Sequence, residues 1–479
     1  MKKRSLWFVT AGALGAAVAL AGCGKTTYFA GRNLPPSGLI NRVMIAIQNP
    51  SSFTKGALQI VDAFYDIRYA YNNLNKEFPI SGYSGALPVS IQNMPEEQLG
   101  AVYSSGDGNL ALISYAKESS SGTAVTALSP SIFITRNQNF GFAASQASHT
   151  LVVANRAAGQ TYNLSLPGVY RVSVNPGGSM ALAFVQNSNY IYYVRQLTAA
   201  QTTAYSGGSS TWPRAAMDCE PQNAPSFCLF QVQSPDNVDA TGNYYGAPLV
   251  FDRPVKAVFS SDGGTAYVLN CGPECGGSQA SVSLLPVAPM IYLTGQASGT
   301  LPKSGTVTKI PILGGASNAL VTGSTMYVVG QQPQPDGLFT GNLTVVNLSS
   351  NTAASPTSIS DGQPGAVSRI IQADDNTLWI GMTKCNNGER FAKGMAYGCL
   401  TMYNTSSNTV TMIEPYLGDL TGIADVEGLH KVYVAQGGQV YIYSTKDGSS
   451  INNQYVTVTG TAYDVAYIDG TTDSNNTVY

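Results

Sequence analysis

The chain has 479 residues and a net charge of −2, and charged residues make up 11% of it. That share is less than half of the usual value of about 25%, and there is no basic field of the kind that nucleic acid binding needs. Beyond the N-terminal segment, no apolar run is long enough to span a bilayer. Gly, Ser, Thr, Asn and Tyr replace the charged residues, which suits an extracytoplasmic β-protein.

Residues 1–22 have the features of a targeting segment. Lys2 to Arg4 form a positive start, and an apolar stretch follows from Leu6 to Leu20. The next residues, Leu20-Ala21-Gly22-Cys23, resemble the bacterial lipobox. The resemblance implies cleavage before Cys23 and lipidation of its thiol, with palmitate among the acyl chains. Gly24 stands where aspartate would retain the protein in the inner membrane, so we expect an outer-membrane lipoprotein. An ordinary secretory signal with a chance cysteine is the alternative.

Residues 23–41 are polar and contain Pro35-Pro36, as expected of a tether between the lipid and a folded body. From residue 42 to residue 479, short runs rich in β-branched and aromatic residues alternate with Gly, Asn, Asp and Ser turns. We therefore predict one β-propeller domain over 42–479. Two longer segments, at about 198–254 and 289–311, interrupt the repeat as inserts.

A strand-turn-strand unit recurs along this domain, which is typical of a propeller. Seven such inner hairpins are predicted, at residues 87–105, 131–145, 170–186, 255–270, 319–331, 369–382 and 423–436. The C-terminal segment 463–470 is a further inner strand without the rest of its blade, and segment 42–64 lacks an inner strand. Pairing these two segments closes the ring and removes its free edges. We predict an all-β propeller of eight four-stranded blades, with seven blades as the alternative.

The best-formed hairpin, VKAVFSSDGGTAYVLN, resembles the YVTN-type repeats of bacterial surface propellers, whose units run V-x-F-S-P-D-G-x-x-x-Y-V-x-N. The matching residues are Phe259, Ser260, Asp262, Gly263, Tyr267, Val268 and Asn270, whereas Ser261 replaces the proline. Lactonase-like propellers are broader relatives. The resemblance implies the fold and an extracytoplasmic setting. It implies no catalytic residue, because the matching positions are turn and packing positions.

Seven cysteines are present, and six remain if Cys23 carries lipid. Sequence alone leaves many pairings open. The six fall in close pairs, and proximity favours local disulfides, each of which stabilises by about 2–3 kcal/mol. The expected bonds are Cys219–Cys228, Cys271–Cys275 and Cys385–Cys399. Zinc binding by these cysteines is disfavoured because the two histidines lie at the wrong spacing.

Catalytic signatures are sparse. The two histidines are His149 and His430, and both are better explained as turn residues than as members of a catalytic triad. No nucleophile elbow of the G-x-S-x-G type is present. Quinoprotein propellers have tryptophan-rich repeats, but this chain has only Trp7, Trp212 and Trp379, so we expect no cofactor.

Carboxylates occur in pairs that could serve acid-base or calcium chemistry, although solvated turns explain them better. The pairs are Glu96-Glu97, Asp236 with Asp239, and Asp374-Asp375, and the segment from Asp469 to Asn476 has a calcium-loop character. The last segment lacks the terminal glutamate of an EF-hand. We predict no metal site and assign no catalytic residue.

These observations favour a lipid-anchored propeller that acts as a non-catalytic binding or scaffold module for a protein or glycan partner. A lactonase-like or glycosidase-like hydrolase with carboxylates at the central channel is the first alternative. A subunit of an outer-membrane assembly is the second. Two or more carboxylates that converge at the channel mouth would favour the enzyme.

Overall fold

The structure is a computed structural model. It describes residues 34–70, 73–121, 133–134, 140–155, 159–197, 216–221, 226–238, 244–291, 301–303, 305–335, 337, 339–360, 366–385, 393, 397–414, 417–451 and 455–471. These residues form eight antiparallel sheets in a ring, which is the predicted eight-bladed β-propeller. The predicted four strands hold for only some blades, because the described blades contain three to five strands each.

The first four blades cover the N-terminal half of the domain. Blade 1 contains β1 (Arg42–Gln48), β2 (Gly56–Asp62), β3 (Tyr69–Ala70) and β4 (Asn73–Pro79). Blade 2 contains β5 (Pro88–Met94), β6 (Leu99–Ser104), β7 (Asn109–Ser114) and β8 (Ser119–Ser120). Blade 3 contains β9 (Phe133–Ile134), β10 (Phe140–Ser145), β11 (Thr150–Asn155) and β12 (Gln160–Ser165). Blade 4 contains β13 (Val169–Val174), β14 (Met180–Val185), β15 (Ile191–Gln196), β16 (Ala216–Glu220) and β17 (Phe227–Gln231).

A separate two-stranded hairpin, β18 (Asn237–Val238) and β19 (Tyr244–Tyr245), precedes blade 5. Blade 5 contains β20 (Pro254–Phe259), β21 (Thr265–Asn270), β22 (Ser281–Pro286) and β23 (Lys309–Pro311). Blade 6 contains β24 (Asn318–Thr322), β25 (Thr325–Pro333), β26 (Phe339–Asn347), β27 (Thr352–Ala353) and β28 (Thr357–Ser358). Blade 7 contains β29 (Ala366–Ala373), β30 (Thr377–Cys385), β31 (Tyr397–Asn404) and β32 (Thr409–Ile413). Blade 8 contains β33 (Leu420–Val426), β34 (Lys431–Gln436) and β35 (Gln439–Ser444).

The last strand, β36 (Thr461–Tyr467), returns to blade 1 and becomes its innermost strand. It runs antiparallel to β1, with Val43 opposite Tyr467 and Ile45 opposite Val465. The predicted ring closure is therefore confirmed. The seven predicted inner hairpins are confirmed as well, because each forms the first two strands of a blade in blades 2 to 8.

Helical structure is minor in the described part of the chain. Two short 3-10 helices cover Pro95–Glu97 and Gly272–Cys275, and α1 covers Ala288–Ile291. None of the described helices is long and apolar enough to cross a membrane.

Apolar clusters fill the space between the blades. Eight buried clusters are found among the described residues, and each draws its side chains mainly from two neighbouring blades. Trp379 and Tyr443, for example, stack with ring centroids 6.1 Å apart between blades 7 and 8. Each sheet thus buries both faces, which explains why the strands are apolar at successive positions instead of alternating.

The two predicted inserts also supply outer strands. Strands β16 and β17 lie within 198–254 and extend blade 4, whereas β23 lies within 289–311 and completes blade 5. Part of the expected tether is ordered against the propeller, because the backbone N–H and the hydroxyl of Ser37 both donate to the carboxylate of Glu118.

Candidate functional site

The inner strands share an irregularity near their first residues. Six of them, β5, β13, β20, β29, β33 and β36, carry a β-bulge there, so that one residue has no partner on the second strand. Bulges re-aim the side chain that follows. We call the end of the propeller at which the inner strands begin the front face, and the other end the back face.

The residue after the bulge occupies the same register position in each of these blades. These residues are Asp464 in blade 1, Ser90 in blade 2, Arg171 in blade 4, Lys256 in blade 5, Arg369 in blade 7 and Gly422 in blade 8. Asn318 holds the same position in blade 6, where it opposes Val329. The equivalent residue of blade 3 lies outside the described residues. We call these seven residues the channel ring.

Contacts across blades show that ring side chains converge on the central channel. The guanidinium of Arg369 in blade 7 donates to the carboxylate of Asp464 in blade 1 at 3.0 Å, so the pair reaches past blade 8. Gly422 makes this possible, since a Cβ atom at that position would collide with Asp464 Oδ1. On the other side of the ring, Lys256 Nζ donates to Asn318 Oδ1 at 2.8 Å.

Positive charge prevails in the ring. Arg171, Lys256 and Arg369 are half-buried cations, whereas Asp464 is the only carboxylate among the described ring residues. Asp464 is already satisfied, because the backbone N–H groups of Ile91 and Val465 donate to it in addition to Arg369. Burial raises the pKa of Asp464, although the charge of Arg369 opposes that effect.

The pKa of Lys256 reflects the concentration of positive charge in the ring. Burial and, after it, the charges of Arg171 and Arg369 lower the pKa of Lys256 to about 7. Asn318 is a neutral acceptor and does not offset the repulsion. The same two effects, desolvation and neighbouring cations, are those that lower lysine pKa values at functional sites.

Arg171 lacks an acceptor for part of its guanidinium. Its Nε atom is buried and has no hydrogen-bond partner among the residues that the structure describes. A loop of blade 5 lies nearby and carries Glu274, whose carboxylate accepts hydrogen bonds from the backbone and side-chain N–H groups of Gln331, both at 3.0 Å. Burial raises the pKa of Glu274, and those bonds and then the charge of Arg171 partly oppose it.

The three predicted disulfides are present in the structure. Cys271–Cys275 closes the front-face loop that carries Glu274, and Cys385–Cys399 also lies at the front end of its blade. Cys219–Cys228 joins the two outermost strands of blade 4. Cys23 lies outside the described residues, so its lipidation stays a prediction.

The predicted carboxylate pairs lie away from the channel ring. Asp374 and Asp375 occupy a back-face turn, where Asp374 accepts the backbone N–H groups of Gly428 and His430. His430 Nδ1 lies 3.0 Å from Asp375 Oδ2, and the hydroxyl of Thr445 donates to the same oxygen. These contacts tie blade 7 to blade 8, so both aspartates and His430 have structural partners.

The other sequence candidates are also turn residues where the structure describes them. Glu96 and Glu97 lie in a 3-10 turn, the hydroxyl of Ser234 donates to Asp236, and His149 adopts a positive φ of 59°. Asp239 and the calcium-like segment beyond residue 471 lie outside the described residues. No group of His, Cys, Asp or Glu side chains suited to a metal ion is found within the described ranges.

Asp262 of the YVTN-like hairpin is a turn residue as expected. Its Oδ1 atom accepts the backbone N–H of Gly264 at 2.9 Å and the hydroxyl of Ser260 at 2.5 Å. Gly263 supplies the positive φ, 69°, that the turn requires.

The channel ring was missed by the sequence analysis, although a signal for it exists. Aligning the seven hairpins and the C-terminal strand on their second strands brings Arg171, Lys256, Arg369 and Asp464 into one column. Charged residues in an apolar inner strand are conspicuous in a chain with 11% charged residues. The column lies outside the turn residues by which the repeat is recognised.

Comparison with known proteins supports the fold alone. No family model matches the chain, and no curated protein matches it either. The dihydro-heme d1 dehydrogenase NirN, in complex with DHE, is 10% identical, with a TM-score of 0.50 over 93% of this chain and 80% of that one.

Two further solved structures resemble the chain more weakly. Apo AztD from Citrobacter koseri is 11% identical, with a TM-score of 0.48 over 89% of this chain and 98% of that one. A putative 6-phosphogluconolactonase from Bacteroides fragilis is 12% identical, with a TM-score of 0.37 over 89% and 97% of the two chains. At 10–12% identity, the comparisons concern the fold alone and assign the chain no activity.

Proposed function

We propose that this protein is a binding module that holds an anionic group of its ligand at the front mouth of the central channel. The observation that carries the proposal is the convergence of Arg171, Lys256 and Arg369 from three blades, with Asp464 as the single described carboxylate among them. Cations in a narrow, partly desolvated channel attract anions more strongly than cations on an open surface.

A purely structural role explains this cluster less well, because Arg42, an arginine with a structural role in the same protein, is bound differently. Arg42 is buried, and its guanidinium donates to Asp469, to Glu118 and to the backbone oxygen of Tyr115. Its charge is therefore fully paired, as buried charges generally are. Arg171 departs from this pattern, since its buried Nε atom has no acceptor within the described residues.

The hydrolase alternative receives less support. Acid-base hydrolysis by two carboxyl groups requires a pair that faces one cleft. The one described carboxylate of the channel ring, Asp464, is held by Arg369 and by two backbone N–H groups. The excess charge of the ring is positive, which favours binding of an anion.

Exposed apolar side chains around the front face suit a protein or glycan partner that carries the anionic group. Tyr190, Val250 and Leu313 lie in front-face loops and are 38%, 52% and 68% exposed. Aromatic and apolar groups next to a charged pocket are common in binding surfaces. An acidic group of such a partner would enter the channel while its remainder rests on these loops.

Citrate and inorganic phosphate are suitable probes for the anion site. Either anion should raise the melting temperature of the protein above that in sodium chloride of equal ionic strength, because it binds the folded state alone. The effect should weaken above about pH 7, since Lys256 then loses its proton. The double variant Arg171→Gln/Lys256→Gln should lose it, whereas Lys117→Gln, at an exposed turn, should keep it. A full response in the double variant would refute the proposal.

We further propose that lipidation of Cys23 holds the module at the outer membrane. The lipobox-like sequence supports this location, and single-lipid anchoring alone is reversible, so processing to a multiply acylated terminus is expected. The variant Cys23→Ala should move the protein from the membrane fraction to the soluble extracytoplasmic fraction. If the variant is processed and still sediments with membranes, the anchor is not the lipid.

A further inference from the structure

We propose that Lys256 captures the carbonyl carbon of a small 2-oxo acid as a reversible imine, while Arg171 binds the adjacent carboxylate. The proposal rests on the anion site described above and adds to it a ligand class and a covalent mode of binding. It involves three ring residues: an amine, a guanidinium and the amide that orients the amine.

Lys256 differs from the paired buried lysine of this protein. Lys431 Nζ lies 2.7 Å from Asp66 Oδ1, and the hydroxyl of Tyr433 donates to the same carboxylate atom. That lysine therefore has a carboxylate partner within hydrogen-bond distance. Lys256 Nζ instead donates to a neutral acceptor, Asn318 Oδ1, which also accepts the backbone N–H of Ala319 at 2.9 Å.

The neighbours of Lys256 favour its neutral, nucleophilic form. Protonated Lys256 would stand between the guanidinium groups of Arg171 and Arg369 without a carboxylate of its own among the described residues, and burial removes much of the water that would stabilise its charge. These effects lower its pKa to about 7. An amine that is desolvated and placed beside another cation is the usual arrangement for a lysine that forms imines with carbonyl compounds.

The charge distribution selects a carbonyl compound that also carries an anion. Arg369 is engaged by Asp464 at 3.0 Å, so Arg171 is the ring guanidinium with an unused buried donor, Nε. Arginine binds carboxylates through two parallel N–H donors. A 2-oxo acid places its carbonyl carbon next to its carboxylate, which matches an amine and a guanidinium on neighbouring blades.

The reaction needs no oxidant, reductant or further co-reactant. The lone pair of Nζ attacks the carbonyl carbon, the C=O π bond breaks, and one proton passes from nitrogen to oxygen to give a carbinolamine. The hydroxyl then takes up a second proton from solvent, the C–O bond breaks, water leaves, and the C=N double bond forms. The product is a protonated imine, whose positive charge is balanced by the bound carboxylate. Since water is the only product lost, the capture reverses when the free ligand is removed.

Reductive trapping tests the inference on the full-length wild-type protein. The protein is incubated with pyruvate and cyanoborohydride, and labelled lysines are identified by peptide mass spectrometry. We expect Lys256 to be labelled at least about tenfold faster than the exposed Lys117 at pH 7.5, because a lysine whose pKa is lowered to about 7 has a large neutral fraction at that pH. Labelling of Lys256 no faster than that of Lys117 would overturn the inference.

A carbonyl compound without a carboxylate separates carboxylate recognition from amine reactivity. Acetaldehyde lacks the carboxylate, so Arg171→Gln should lower the ratio of pyruvate to acetaldehyde labelling at Lys256 by about tenfold or more, as expected for a lost charged hydrogen bond of at least about 1.4 kcal/mol. The matched variant Arg253→Gln, at a half-buried front-face loop position outside the channel ring, should leave the ratio unchanged. An unchanged ratio in Arg171→Gln would remove Arg171 from the proposal.

Failure of the imine proposal can be distinguished from failure of the anion site itself. If citrate stabilises the wild-type protein and Lys256 is not labelled by pyruvate, the anion site stands and the imine is wrong. If neither occurs, both proposals are wrong. The pH trends also differ, because stabilisation by citrate should fall above about pH 7 whereas labelling of Lys256 by acetaldehyde should rise.

Discussion

At the scale of single residues, two kinds of constraint meet in the channel ring: space and charge. Gly422 leaves room for Asp464 to reach Arg369. The ring carries excess positive charge because its three cations are accompanied by one described carboxylate, Asp464. The turn residues that dominate the repeat motif have local roles. Asp262 and Gly263 form the turn of one hairpin.

Replacing Gly422 tests the space constraint. A Cβ atom there would collide with Asp464 Oδ1 and lie 2.8 Å from Asp464 Cα. We expect Gly422→Ala to lower the free energy of unfolding by about 1–3 kcal/mol, the usual cost of overpacking, as measured by urea denaturation. The control is Gly177→Ala, where the nearest side-chain atom is 3.7 Å away. Equal stabilities of the two variants would show that Asp464 moves freely.

The pH dependence of stability tests a buried acid on the back face. Burial, followed by the charge of Asp374, raises the pKa of Asp425 to about 7. The folded state therefore binds this proton more tightly than the unfolded chain does. The corresponding stability is fully present below about pH 4 and is lost as the pH rises through about 7. Asp425→Asn should consequently be more stable than the wild type at pH 8, by about 1–3 kcal/mol, and should lose that advantage towards pH 4.

Denaturant unfolding at several pH values measures this effect. Glu97→Gln removes an exposed carboxylate and should stay within about 0.5 kcal/mol of the wild type throughout. An advantage of Asp425→Asn that does not change with pH would argue against a titrating Asp425.

At the scale of elements, the bulge at the start of the inner strands and the disulfide-closed loops organise the front face. The bulge turns a repeated strand position towards the channel. The Cys271–Cys275 loop holds Glu274 next to blade 6, where it binds Gln331. The short sequence separations made the disulfide pairings predictable. The β-bulges were not predictable, because an extra residue in a strand leaves no clear mark on its composition.

The stability lost on removing each front-face disulfide should increase with the length of the loop that the disulfide closes. The bonded cysteines are 14 residues apart in Cys385–Cys399 and 4 apart in Cys271–Cys275. In the chain-entropy model, the longer loop contributes about 3 kcal/mol and the shorter about 2 kcal/mol. Alanine replacement of both cysteines of each pair should show this difference of about 1 kcal/mol in guanidinium unfolding without reductant. A larger loss from the shorter loop would point to packing instead of chain entropy.

At the scale of the whole molecule, the ring is closed by strands from the two ends of the domain. Strand β36 covers the inner edge of β1 and contributes Asp464 to the channel ring. Without it, one blade would present an open edge to solvent. Its apolar side chains also belong to the clusters on both sides of blade 1, among them Val465 and Ala466.

Truncation tests the closure. A chain that ends at Gly460 lacks β36, and we expect it to aggregate or to lose cooperative unfolding, as seen by size-exclusion chromatography and calorimetry. A chain that ends at Thr471 keeps β36 and the contact of Thr471 with Glu427, and it should unfold within a few degrees of the full-length protein, roughly the effect of less than 1 kcal/mol. A cooperative, monomeric product from the shorter chain would contradict the proposed role of the closing strand.

The sequence by itself determined the repeated architecture and the closing strand, and it favoured eight blades over seven and three local disulfides, because each depends on patterns within short stretches of chain or on the two ends of one domain. Only the tertiary structure decided which side chains meet at the channel. Arg171, Lys256, Arg369 and Asp464 come from four blades, and their proximity results from the curvature of the ring and from a shared bulge. Their charges acquire their effects, including the lowered pKa of Lys256, only when the blades close around them.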